Sequence, residues 1–236
     1  MILSMIKADF LKIKRKWIWF LIVLGPLGVL LLQAANYGLR YDYLVKPGGD
    51  HWKDFLNNIH LFIPITLGLG FTIIASMTAN IEHQQNAWKQ LIAMPISKKT
   101  VYTAKFLMNL FLIFLSCFLL FLGTILLGII LKFGLDIPYI RIAKMSFFPF
   151  FAGIPILGIQ VWLSTTLKNQ ALPLTIGILG AIFSMYTVFV PDWVIWKWPL
   201  LTSDQHDPVW FVGWGLVIGF IIFLFGMVDF TKRDVK

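Results

Sequence analysis

The chain has 236 residues, of which 58% are hydrophobic, 16% aromatic and only 13% charged, where a soluble domain carries about 25% charged residues. That much apolar material exceeds what one small core buries, which excludes an ordinary water-soluble globule and makes the bilayer the second solvent. Twenty Lys and Arg against eleven Asp and Glu leave a formal charge of +9, a surplus to be read first as membrane orientation rather than as a nucleic-acid footprint.

Residues 1–16, running into the first apolar stretch, set Ile6, Phe10, Ile13 and Trp17 on one helical face, with Lys7, Lys14 and Lys16 largely elsewhere. This pattern fits an interfacial elbow helix on the cytoplasmic leaflet or a positively charged topogenic tail, and both put it at the membrane surface. The apolar run from Trp17 outlasts the roughly 7 to 15 residues of a signal-peptide core, so the segment is expected to be retained.

Six windows then carry no Asp, Glu, Lys or Arg: residues 17–39, 55–81, 106–131, 145–167, 169–191 and 208–228. Each is at least as long as the roughly 20 residues that cross a hydrocarbon core, and none alternates as a barrel strand would. The expectation is an all-α membrane protein, one transmembrane domain over residues 1–236 with six spanning helices. Grouping the loops by side puts thirteen basic and four acidic groups on the face with both termini, a charge of +9, and seven of each on the other, a charge of zero. The positive-inside rule makes the first face cytoplasmic.

Between the second and third windows, residues 82–97 place Ala87, Trp88, Leu91 and Ile92 at helical spacing, with Pro95 as a stop and Ser97 as the start of the next helix. A short amphipathic helix of this kind either lies in the interface or offers its face to a partner's groove. Gln, Asn and Lys around a single Trp lean towards docking. On the other face, residues 191–208 combine Trp193, Trp196 and Trp198 with Asp192, Asp204 and Asp207. That is an aromatic belt at headgroup depth, or an outer vestibule for a cationic, amphipathic ligand.

Within the windows Thr66, Thr72, Ser76, Thr78, Gln160, Ser164, Thr165 and Thr166 are expected to bond between helices or to their own backbone. Ala75 with Ala79, and Gly215 with Gly219, permit close helix approach, including dimer contacts.

Several chemistries are missing. No G-x-x-x-x-G-K-[ST] occurs, the four His residues at 51, 60, 83 and 206 form no H-E-x-x-H, and Cys117 stands alone. No catalytic or metal-ligating set is therefore assigned, and this chain is expected to bind no cofactor and to be no enzyme. Ionisable groups inside the spans, the usual mark of a proton-coupled carrier, are also lacking, so energy for active transport would have to come from another subunit.

The basic start Lys7 to Arg15, the Gly25-Pro26-Leu27 of the first span and Glu82 at the end of the second are followed by Trp88-Lys89-Gln90-Leu91, Met94-Pro95-Ile96-Ser97-Lys98 and Tyr102-Thr103-Ala104-Lys105-Phe106. Together they resemble the ABC-2 type permeases, and within them the small permeases of lantibiotic immunity transporters, the MutE/EpiE/NisE-like group. The resemblance implies a permease subunit of an ATP-binding cassette exporter in the cell membrane. It would pair with a second permease copy or related chain and with cytoplasmic P-loop ATPase subunits, which would bind ATP and Mg. The first helix would be the elbow and residues 82–97 the coupling loop. Glu82, Gln85, Trp88, Lys89, Leu91, Met94, Pro95 and Ser97 would form the ATPase-docking surface. One departure is Gln84-Gln85-Asn86, where many relatives carry a Gly-containing stretch. The expected function is expulsion of a lantibiotic-like peptide or other amphipathic substrate, with Trp193, Trp196, Trp198, Asp204 and Asp207 as outer contacts. The alternative is an energy-independent immunity protein that captures peptide at the outer leaflet.

Overall fold

In a solvent that offers the backbone no hydrogen bonds, long apolar runs close their amides internally as helices, and the apolar runs of this chain do so. The computed structural model describes residues 2–14, 16–45, 48–84, 97–134 and 136–232, with the backbone alone for residues 2–4. Among these residues there is no strand. The α-helices are α1 (Ile2–Ile13), α2 (Ile18–Leu44), α3 (His51–His60), α4 (Ile63–Gln84), α5 (Lys98–Ile130), α6 (Tyr139–Ala152), α7 (Ile154–Thr166), α8 (Ala171–Ser184) and α9 (Pro208–Lys232). Two 3₁₀ turns, Thr187–Phe189 and Ile195–Leu200, lie between α8 and α9.

Local chemistry sets several helix ends. The Asp50 carboxylate accepts the Lys53 N–H at 3.0 Å and caps α3. Ser97 accepts the Thr100 N–H at 3.2 Å and starts α5 where the sequence placed it. The chain leaves α5 through Lys132 (φ 60°) and Gly134 (φ 99°), the second a conformation that only glycine takes without a Cβ penalty. Between α6 and α7 the helix breaks at Gly153, flanked by Pro149 and Pro155, and bends by 43°.

Among the described residues four stretches are long and apolar enough to cross a membrane: Ile18–Leu44, His51–Gln84, Lys98–Ile130 and Pro208–Lys232. The bent pair α6–α7 makes a fifth when taken as one. The window 169–191 behaves differently. Its helix, α8, has 14 residues, short of the roughly 20 that span alone. At its end Ser184 Oγ donates to Ala181 O at 2.6 Å and Thr187 Oγ1 to Ser184 O at 2.7 Å.

The chain alternates between two ends of the bundle. At one, the loop end, α4 stops and α5 starts on either side of residues 85–96, and α1 packs along α5. At the other, the cap end, Tyr41 of α2 donates to Leu131 O at 2.9 Å, and Phe133 sits among Tyr37, Trp52 and Phe55 with ring centroids 5.3 to 5.8 Å apart. α8 runs antiparallel to α4: Gln170 meets Ser76, Gly177 meets Thr72 and Ala181 meets Gly68. It thus carries the chain from near the loop end back to the 3₁₀ turns at the cap.

Close packing within the chain uses small residues. A Cβ at Gly215 would stand 2.6 Å from Ala152 Cα, and one at Gly219 would stand 2.5 Å from Ile154 Cγ2, so both glycines seat α9 on α6 and α7 of the same chain. Ala75 and Ala79 are likewise buried. Several span polars bond as expected, Thr72 to Gly68 O at 2.7 Å, Thr165 to Val161 O at 2.8 Å, Thr166 to Trp162 O at 2.7 Å and Ser76 to Gln170 at 2.9 Å, whereas the buried Ser164 hydroxyl has no hydrogen-bond partner among the described residues.

Candidate functional site at the loop end

α1 is held to the bundle by one face. Met5, Asp9 and Ile13 are buried, four residues apart, while Lys7, Leu11 and Lys14 are exposed. Of the elbow residues read from the sequence, Ile13 is buried and Ile6 and Phe10 are half-buried, with the Phe10 ring 5.7 Å from Phe111 on α5. Trp17 departs from that face. α1 ends at Ile13, the chain turns, and Trp17 stands 74% exposed as the residue preceding α2.

An aspartate in the middle of a buried stripe requires a partner, and it has one. Lys105 Nζ on α5 lies 3.0 Å from Asp9 Oδ1 and 2.8 Å from Glu82 Oε1 at the end of α4. Lys12 Nζ reaches the same Glu82 oxygen at 2.8 Å and lies 3.7 Å from Asp9 Oδ1. Asp9, Glu82 and Lys105 are at most 4% exposed in their side chains, and Lys12 is 30% exposed. Two carboxylates and two ammonium groups make the cluster neutral, so no net charge is buried. Asp9 Oδ2 and Glu82 Oε2 remain without a partner among the described residues.

Around the cluster the amide of Asn109 donates to Lys105 O at 2.8 Å, and Thr78 donates to Asn109 Oδ1 at 3.2 Å, so α4 and α5 are pinned together one turn deeper. On the far side of α4, His83 Nε2 donates to Ser164 O at 3.0 Å. The arrangement ties α1, α4 and α5 into one unit at the point from which residues 85–96 depart.

Of the docking residues read from the sequence, Glu82 and Ser97 bracket this unit, Glu82 fully buried and Ser97 capping α5. Gln85, Trp88, Lys89, Leu91, Met94 and Pro95 lie outside the described residues. Asp9, Lys12 and Lys105 were not singled out from the sequence. Asp9 could have been, because it interrupts the Met5/Ile13 spacing within a basic segment.

The cap end holds the second group of candidates. Asp192 accepts from Lys197 at 2.9 Å, from His206 Nδ1 at 2.8 Å and from the Ser203 hydroxyl. Burial alone would raise its carboxyl, but these three hydrogen bonds and the Lys197 charge outweigh it and bring the pKa down to about 2. Trp198 is buried and donates from Nε1 to Asp192 O at 2.7 Å, and Trp196 is half-buried against Gly180. Both are inside the cap rather than on a vestibule wall. Trp193, Asp204 and Asp207 are exposed. Trp193 and Asp204, with Asp192, His206 and Trp210, line a cleft of about 480 Å³. Among the described residues no group of three or more His, Cys, Asp or Glu side chains is placed to hold a metal ion.

Comparison with curated proteins and with solved structures gives no match. Residues 5–184 match the family model described as ABC-2 family transporter protein, a stretch that includes α1 from Met5 onward, the whole buried ion cluster and both helices flanking residues 85–96. Several helices of membrane-spanning length and a family match over most of the sequence agree that this is a multi-pass membrane protein, and the chain belongs to the ABC-2 family of transporter proteins.

Proposed function

We propose that the chain is the permease subunit of an ATP-binding cassette exporter. In this reading it crosses the membrane six times with both termini in the cytoplasm, and a separate cytoplasmic ATPase drives it. Together with the family match, the observation that carries the reading is the Asp9–Lys12–Glu82–Lys105 cluster. A loop that transmits force from a partner needs a stiff attachment, and this one leaves from a buried, charge-balanced joint between three helices. ATP binding and hydrolysis would occur in the partner. Residues 82–97 would dock on it, with Trp88 as the anchoring aromatic, and movement of the loop would shift α1, α4 and α5 together.

The six-crossing topology is supported by the alternating chain direction, with α8 as a short fifth crossing completed by the Thr187–Phe189 turn. Loop-end cations favour the cytoplasmic side. The substrate would be a lantibiotic-like peptide or another amphipathic molecule, expelled outward or out of the bilayer, and a second permease copy or a related chain would complete the pathway. The cap cleft with Trp193, Asp204 and Trp210 suits a cationic amphiphile. The same cleft favours one other reading, capture of a peptide at the outer leaflet without an energy source.

The test is purification of the tagged chain in mild detergent from its native cell, with mass spectrometry of what comes with it. A co-purifying P-loop ATPase, lost on Trp88→Ala while the variant stays monodisperse, is the expected result. A folded chain that brings no ATPase and still binds a cationic peptide would overturn the transporter reading in favour of capture.

A further inference from the structure

Cations at the cap end are not spread evenly. Asp50, Lys53, Leu56, Asn57, His60, Arg141 and Met145 line a recess of about 420 Å³. A second recess of about 380 Å³ is lined by His60, Met145, Lys144, Phe148, Asp207, Val209 and others. Because His60 and Met145 belong to both, the two form one continuous groove along the outside of α6. His60 Nε2 donates to Leu200 O at 2.7 Å, which holds the rim between the halves in place.

Along α6, Arg141, Lys144 and Phe148 stand three and four residues apart and so share a face. The cations come first, at the cap, and the aromatic ring follows one turn further into the bundle, with Lys144 Nζ 5.9 Å from the Phe148 centroid. Val209 at the start of α9 adds an exposed apolar wall. Two carboxylates belong to the groove. Asp50 is engaged by Arg141 at 3.1 Å in a largely exposed pair that uses one of five guanidinium donors, and Asp207 sits in the second recess. Lys53, Arg141 and Lys144 therefore present ammonium and guanidinium hydrogens beside the apolar side chains Phe148 and Val209, the order in which an anionic amphiphile offers its own parts.

We propose that this groove binds an anionic phospholipid of the leaflet at the cap end, its phosphate held by Lys53, Arg141 and Lys144 and an acyl chain laid along Phe148 and Val209. The site is separate from the loop-end cluster and requires only that the chain span a bilayer.

The full chain, delipidated in mild detergent, is titrated with dioleoyl phosphatidylglycerol or dioleoyl phosphatidylcholine, and bound lipid is counted by native mass spectrometry. Three cations set against the two groove carboxylates leave one net positive charge, which predicts a preference of about fivefold for the anionic lipid. Arg141→Gln with Lys144→Gln should abolish the preference, while Lys144→Arg should keep it. Arg40→Gln, which removes an exposed cation outside the groove, should leave it unchanged. Equal binding of the two lipids by wild type, or an equal loss in Arg40→Gln, overturns the site. Displacement of the lipid by excess inorganic phosphate overturns the lipid as ligand and leaves a free-anion site.

Discussion

Glu82 shares one carboxylate oxygen between Lys12 and Lys105, both at 2.8 Å, and its own side chain is fully buried. Removing one partner of a buried pair leaves an uncompensated charge and costs about 3–5 kcal/mol, whereas replacing both with apolar groups is often close to neutral. Lys105→Met should therefore lower the unfolding midpoint in detergent strongly. Adding Glu82→Leu should recover much of the loss, because Asp9 and Lys12 still balance. An equal or greater loss in the double variant would show that the cluster is not held by charge balance. At the cap, Asp192 makes a prediction about pH. Its carboxyl is held near a pKa of about 2, below the ordinary value of about 3.9. Its contribution is fully present above that ordinary value and is lost as pH falls from about 4 towards about 2. Trp fluorescence of the cap should follow that loss, and Asp192→Asn should flatten the transition.

Helix contacts set the next scale. Gly215 approaches the Ala152 backbone so closely that an added Cβ would lie 2.6 Å from Ala152 Cα, whereas nothing lies within 4 Å of the same position on Gly213. Backbone cannot yield as a side chain does, so Gly215→Leu should cost about 3 kcal/mol or more, beyond ordinary overpacking. Gly213→Leu should stay within about 0.5 kcal/mol. Thermal unfolding of the two variants separates an intramolecular α9–α6 contact from a general intolerance of bulk on α9. Ser97→Ala tests the start of α5, where the lost cap should cost about 1 kcal/mol. Sequence pattern anticipated this cap because the signal is local, a Ser followed by an apolar-periodic run. It did not anticipate the partners of Gly215 and Gly219, since a pair of glycines four apart licenses close approach without saying to what.

For the whole molecule, what the sequence by itself determined is membrane residence, helical class and the uneven distribution of charge. Each follows from quantities that add along the chain: the length of an apolar run against the thickness of a bilayer, and the number of cations in each loop. Family membership was legible for a related reason, because its motifs at α1, Glu82 and Tyr102 to Phe106 lie in the matched stretch. Tertiary structure decided the rest. Lys105 counts as a loop cation in the sequence and becomes a buried joint only because Asp9, 96 residues away, and Glu82, 23 residues away, fold against it. Trp198 carries the same aromatic signal as Trp193, yet it turns inward to the Asp192 carbonyl while Trp193 stays at the surface. The window 169–191 is apolar enough to span, yet its helix α8 ends after 14 residues and the chain passes into the Thr187–Phe189 turn. For Lys105 burial depends on which distant side chains arrive at the same place. Hydrophobicity read along one strand of sequence does not contain that information, and three-dimensional packing does.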